Sequence, residues 1–249
     1  MRIATWNLGR VLPHSPKALL QQQWIERINA DVWILTETSP EISPGGDYYS
    51  IFSQAGTGAD SAHHCRVQIW VRNQPLTPVI TRDPDTSVCG LVELTQRRSW
   101  LIYGMVLPLP DNPYPDTAHE QAFMAALMDR QADWQQLQAT YPEALLIVAG
   151  DFNQDLNVLP YYGSRRNKQG LRQALAAANL DCLTFGDNDP VRRLIDGQHS
   201  NIDHICIAHS QGIQLQHTFA WPDSLENLRG ISDHFGVGVE FFQADGPSL

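Results

Sequence analysis

No run in this sequence approaches the ~20 consecutive apolar residues that a membrane-crossing helix needs, so bilayer insertion is not expected. Nor do the first residues have the form of a secretory leader. Met1-Arg2-Ile3-Ala4-Thr5-Trp6-Asn7 reads as a strand, with no apolar stretch ahead of it. Cysteine is scarce. Cys65, Cys89, Cys182 and Cys206 are scattered without a CxxC pair, which argues against a zinc site or disulfide framework and for reduced, buried thiols in a cytoplasmic protein. Positive charge is also short: 17 Lys and Arg stand against 27 Asp and Glu, a formal net charge of −10. Proteins that grip long nucleic acid by neutralising phosphates usually carry a basic face, so this balance favours small or short partners. A local patch or a bound cation still leaves phosphate binding open.

There is no repeat, no low-complexity linker and no break in composition. With 43% hydrophobic residues over 249, the chain can fill one large core. The expectation is a single domain over 1–249, with 244–249 as a frayed tail.

Short segments rich in Val, Ile, Trp, Tyr and Phe, parted by Gly, Pro, Asp and Asn, read as strands. They are Arg2–Asn7, Asp31–Thr36, Tyr48–Phe52, Val67–Val71, Cys89–Leu94, Trp100–Leu107, Ala144–Ala149, Asn201–Ile207, Gln214–Phe219 and Gly236–Phe241. Helical periodicity appears three times: after Ser15 and Pro16, from about Thr117, and over about Gln169–Ala178. So many strands against so few helices do not fit a regular βαβ alternation. Two sheets packed face to face with helices outside, an α+β architecture, fit better.

Four strand-like runs end in residues that can bind a cation or move protons. Ala4-Thr5-Trp6 leads into Asn7, and Val32-Trp33-Ile34-Leu35-Thr36 into Glu37. Leu145–Gly150 leads into Asp151, Phe152 and Asn153, while Ile231-Ser232-Asp233-His234 precedes the last strand. Singly, each has a plain structural explanation as a turn, a cap or an ion pair. Together they supply oxygen ligands for a hard cation, a carboxylate and amide for a water, and an acid–imidazole pair for proton traffic.

The order TWN, Glu after an apolar strand, GDFN, IDH and SDH, running from Thr5 to Gly236, resembles the endonuclease/exonuclease/phosphatase (DNase-I-like) superfamily. The resemblance implies a four-layer αββα sandwich with two mainly antiparallel sheets, and hydrolysis of phosphate esters by a phosphodiesterase, nuclease or phosphatase. It implies Mg²⁺ or Mn²⁺ on Asn7 and Glu37, with Asp233 near the metal and available to a second ion. Asp151 and Asn153 would orient and activate the attacking water. His234 would meet a phosphoryl oxygen or act as acid or base, and Asp203 would fix its tautomer. His204, next to Asp203, is turned to the opposite face by strand alternation and has no implied role. An ordinary Asp is a weak base at neutral pH, so Asp151 would act by positioning unless its surroundings raise its pKa.

Four further features bear on the site and its substrate. Where many members carry a His or Tyr near the end of a middle strand, this chain has Val106; Tyr103 should face the other way. The cluster Ser164-Arg165-Arg166-Asn167-Lys168 either grips phosphate through Arg165 and Arg166 or is a solvated loop before the third helix. Trp221 either stacks on a substrate ring or packs beneath a loop. Polar Gly197-Gln198-His199-Ser200 before IDH, where abasic-site enzymes of this type usually carry an aromatic, disfavours that activity. The partner is therefore a phosphate-ester substrate, with no protein partner implied. The alternative is a catalytically inactive scaffold of the same fold that binds a phosphate ligand or a protein.

Overall fold

Alternation along the first two strands sets the architecture. In β1 (Arg2–Asn7) and β2 (Val32–Thr38), Ile3, Val32 and Ile34 enter one apolar layer, while Ala4, Trp6, Trp33 and Leu35 enter another. Strands apolar on both faces must be covered on both. In the computed structural model, which describes residues 1–54, 64–95, 98–109, 117–157, 162–195, 199–209 and 213–243, helix α1 (Pro16–Ile28) covers the tryptophan side with Ile25. Ser15 caps α1 by accepting from the Ala18 amide, Pro16 begins it, and left-handed Asn29 ends it.

The first sheet is completed by β3 (Tyr48–Phe52), β4 (Cys65–Arg72), β11 (Ile213–Trp221) and β12 (Gly236–Gln243), in the order β11-β12-β1-β2-β4-β3. The second holds β5 (Thr77–Val79), β6 (Ser87–Thr95), β7 (Arg98–Val106), β8 (Ala144–Asp151), β9 (Leu180–Cys182) and β10 (Asp203–Ala208), in the order β5-β6-β7-β8-β10-β9. Each sheet has one central parallel pair, β1 with β2 and β7 with β8; the other pairings are antiparallel. Parallel neighbours need a crossover, which α1 supplies in one sheet and α2 (Thr117–Thr140) in the other. Between the sheets lie Ile3, Ile34, Val67 and Ile69 with Val88, Ile102, Ile147 and Ile205. Outside the second sheet, Phe123, Leu127 and Trp134 of α2 and Leu171 and Ala174 of α3 (Arg165–Ala177) cover Tyr103, Met105 and Val148. The result is the expected four-layer αββα sandwich.

Three features differ from the sequence reading. Helix α3 starts at Arg165 rather than near Gln169, because Ser164 caps it by accepting from the Asn167 amide. The basic cluster is therefore the first turn of a helix, not a loop. β5, β9 and the short helices α4 (Pro190–Leu194) and α5 (Leu225–Arg229) are too brief for periodicity to reveal. Among the described residues, no helix is long and apolar enough to cross a membrane. The expected tail at 244–249 and residues 196–198 lie outside the described residues.

Candidate active site

The alternation that fills the space between the sheets also delivers polar side chains to its rim. Asn7 follows Ile3 and Thr5 on the inner face of β1; Asp151 follows Ile147 and Ala149 on β8; Asp203 precedes Ile205 and Ile207 on β10. Asp203 stands directly opposite Asp151 in the antiparallel ladder. Asn7 Nδ2 donates to Asp151 Oδ2 at 2.9 Å, which ties the two sheets together at this point. His204 points outward as expected, buried with Nε2 3.1 Å from the Gln154 carbonyl and Nδ1 3.3 Å from Thr184 Oγ1.

The turn after α5 brings in His234. Its Nδ1 lies 2.6 Å from Asp203 Oδ2. The ring is held from behind by main-chain anchors: Trp6 Nε1 donates to the His234 carbonyl at 2.9 Å, and the His234 amide donates to Ser232 Oγ at 3.1 Å. Ser232 Oγ in turn donates to the Asn7 carbonyl at 2.7 Å, so the Asn7 and His234 backbones are linked. One ligand atom from each of Asp151, Asp203 and His234 lies within 4.8 Å of the others. Asp203 Oδ1 is buried with no hydrogen-bond partner among the described residues.

The GDFN turn explains its own composition. Gly150 has φ 138°, and a Cβ there would sit 2.0 Å from the Met105 carbonyl oxygen, so only glycine fits. Asn153, at φ 48°, donates its amide N–H to Asp151 Oδ1 at 2.8 Å. Its Nδ2 donates to the Leu107 carbonyl at 2.8 Å and to Asp151 Oδ2 at 3.2 Å. These contacts make Asn153 the residue that aims Asp151.

Glu37 lies within β2 rather than after it, with left-handed φ 45°, an uncommon state for a glutamate. Its Oε1 accepts from Arg10 NH2 at 2.7 Å, and its carbonyl accepts from the Arg10 amide at 2.8 Å. Arg10, Glu37 and Asn153 are non-glycine residues at positive φ around this rim, the kind of backbone strain that gathers at functional sites. The sequence reading does not single out Arg10, which the fold sets at this rim against Glu37. Asp233 is exposed, and its Oδ1 would be 3.2 Å from a Cβ on Gly9, beside the Asn7 turn where the Gly9 amide donates to Asn7 Oδ1.

The other candidates separate cleanly. Arg165 and Arg166 are exposed on the first turn of α3, with Arg166 3.6 Å from Glu120. Trp221 is buried edge-on against Trp6 and Trp33, a packing role that excludes stacking on a substrate. Tyr103 faces the helices and donates to Asp133 Oδ2 at 2.7 Å, so it does not replace the missing residue near Val106.

Electrostatics divide the two central groups. Burial, reinforced by the neighbouring Asp203 charge, pushes Asp151 up to about 7, against the opposing pull of His234 and the Asn153 and Asn7 donors. Burial works to lower His234, but Asp203, Asp151 and Asp233 outweigh it and lift the imidazole to about 10. Before any cation binds, His234 is an imidazolium at neutral pH, while Asp151 is poised to exchange a proton.

A sequence profile of the Endonuclease/Exonuclease/phosphatase family matches residues 4–234. Among solved structures, an AP endonuclease from Archaeoglobus fulgidus aligns at 15% identity over 97% of this chain and 99% of that one, with a TM-score of 0.67. A Neisseria 3′ phosphatase, NExo, bound to a product DNA hairpin, aligns at 16% identity over 97% and 99%, also at 0.67. The human nocturnin catalytic domain with bound sulfate aligns at 16% identity over 98% and 94%, at 0.66. A search of curated protein sequences returned no match.

Proposed function

The chain belongs to the endonuclease/exonuclease/phosphatase family, and we propose that it is a divalent-metal-dependent hydrolase of phosphate esters. The observation that carries this reading is the His234–Asp203 pair set beside Asp151 at the rim between the sheets. Asp151, with its raised pKa, is the base that takes a proton from the attacking water, aimed by Asn153 and Asn7. Because Asp203 occupies Nδ1, Nε2 is the His234 nitrogen left to donate to a phosphoryl oxygen. An imidazolium there opposes the negative charge that builds up in the transition state.

The donor set at this rim fits a hard cation. Glu37 and Asn7 offer a carboxylate and an amide oxygen, and the buried Asp203 Oδ1, with no hydrogen-bond partner among the described residues, leaves a further acceptor open at the rim. Glu37 and Asn7 would hold Mg²⁺ or Mn²⁺, with Asp233 at the margin. When bound, the ion supplies positive charge to the phosphate. Nδ1 of His234 is already engaged with Asp203, which makes the Asp151/Asp203/His234 group a proton-handling set rather than the cation's own ligands. Arg10 pairs with Glu37 at 2.7 Å, which sets a guanidinium at this rim within reach of a substrate phosphate.

Two measurements test this reading. EDTA should abolish turnover of bis-p-nitrophenyl phosphate, and added Mg²⁺ or Mn²⁺ should restore it; full activity in excess chelator would remove the central claim. The second concerns substrate size. With a net charge of −10, duplex DNA should bind weakly and with steep salt dependence. Reversing Arg165 and Arg166 to Glu should raise KM several-fold if they grip phosphate. An unchanged KM assigns them to solvent, and nanomolar duplex binding at physiological salt would restore a repair-nuclease role.

A further inference from the structure

The cysteines scattered in sequence do not stay apart in the fold. Cys182 on β9 and Cys206 on β10 are directly opposite in an antiparallel ladder. Hydrogen bonds from the Leu183 amide to the Ile205 carbonyl (2.8 Å) and from the His209 amide to the Asn179 carbonyl (2.9 Å) mark the hydrogen-bonded pairs of that ladder. Strict alternation then makes Cys182/Cys206 a non-hydrogen-bonded pair, where Cα atoms approach to about 4.5 Å and side chains are nearest. Disulfides span Cα separations of about 4.4–6.8 Å, so this pair can close with little backbone movement.

The two side chains share one face of the ladder, and Cys206 and His204 are the neighbours that act most strongly on the Cys182 thiol. Thr184 Oγ1 lies 3.9 Å from Cys182 Sγ, completing a polar surround for that sulfur. β9 is an edge strand and Cys182 is half-buried there, whereas Cys65, Cys89 and Cys206 are fully covered. We infer that Cys182 and Cys206 form a dithiol oxidised by small hydroperoxides, with Cys182 the attacking sulfur, Cys206 the resolving one, and a disulfide across β9 and β10 as the product.

The chemistry balances. The Cys182 sulfur attacks one oxygen of ROOH, the O–O bond breaks, and ROH leaves with the thiol proton, so that Cys182 becomes a sulfenic acid. The Cys206 sulfur then attacks Cys182; an S–S bond forms, the S–O bond breaks, and water departs with the Cys206 proton. Two thiols are oxidised and one peroxide is reduced. The other cysteines are poor competitors, since burial pushes Cys65 up to about 12 and Cys89 higher still. At Cys182 burial also acts upward, but the Cys206 S–H and His204 outweigh it and hold this thiol well below its usual range.

The test uses the whole protein with hydrogen peroxide as probe, followed by alkylation in denaturant and peptide mass mapping. One equivalent should yield a Cys182–Cys206 linked peptide, reversible by dithiothreitol, while Cys65 and Cys89 remain alkylatable. In Cys206→Ala the reaction should stop at a sulfenic acid on Cys182 that dimedone traps. Cys182→Ala should slow peroxide consumption about tenfold or more, because the thiolate is the reacting species. Absence of the linked peptide in the wild type, first oxidation at Cys65 or Cys89, or dimedone on Cys206 would each overturn the inference.

Discussion

His234→Ala should lower kcat by ~10²–10⁴, the range for losing a positioned acid–base group, or about 3–5 kcal/mol of barrier. The structure gives the reason: the imidazole is locked by Asp203 at 2.6 Å and by two main-chain anchors, so its geometry is fixed before substrate arrives. Asp203→Asn should cost less, since it removes the charge that lifts His234 and disturbs its tautomer but leaves the ring. The double variant should then be little worse than His234→Ala, because residues acting as one unit lose their effect together. Two losses that multiply would show that the pair does not work as a dyad. Ser232→Ala acts differently. That change frees the turn behind the ring without touching the dyad, so it should mainly blunt kcat through misplacement of His234.

Period-2 alternation in the sequence is enough to set His204 opposite Asp203 and Tyr103 opposite Val106, as the structure shows. What alternation cannot say is which strand ends meet. Asn7 and Asp151 belong to different sheets, and their 2.9 Å contact depends on how those sheets stack. Glu37 reads as lying just beyond its strand because nothing in an apolar run signals a left-handed glutamate. Arg10 gives no signal in the sequence because its role comes from a turn and an ion pair, not from a motif. The basic residues at the start of α3 hide a helix whose apolar stripe begins only at Leu171, although Ser164 is a readable cap. The Cys182–Cys206 pair is invisible for the same reason as β9, a strand of three residues.

Asp151→Asn should be at least as damaging to turnover as His234→Ala, ~10²–10⁴ or more, because in the proposed mechanism it removes the base that takes the proton from water. The same change has a second, opposite signature in the metal-free protein. Burial and Asp203 raise the folded-state pKa of Asp151 to about 7, whereas an unfolded aspartate titrates near 3.9. Between these values the native state holds a proton that the unfolded chain has lost, so stability falls as pH rises. The contribution is fully present below about pH 4 and gone above about pH 7. His234 adds its own decline, but only above its unfolded pKa of about 6.5, as pH rises toward about 10. Asp155, also raised by burial, declines in the same sense, so the difference between wild type and Asp151→Asn across about pH 4 to 6.5 is what reports Asp151. In chelator, the wild-type urea midpoint should drop across that window, and Asp151→Asn should be flatter there. Added Mg²⁺ should raise the wild-type midpoint, since an ion that binds only the folded chain stabilises it. A variant that kept the wild-type slope would place the titrating group elsewhere. One that retained turnover within a few-fold of wild type would remove Asp151 as the base. If the wild type turned over no phosphoester while Asp151→Asn and His234→Ala bound phosphate ligands as tightly as it does, the scaffold would be a binding protein.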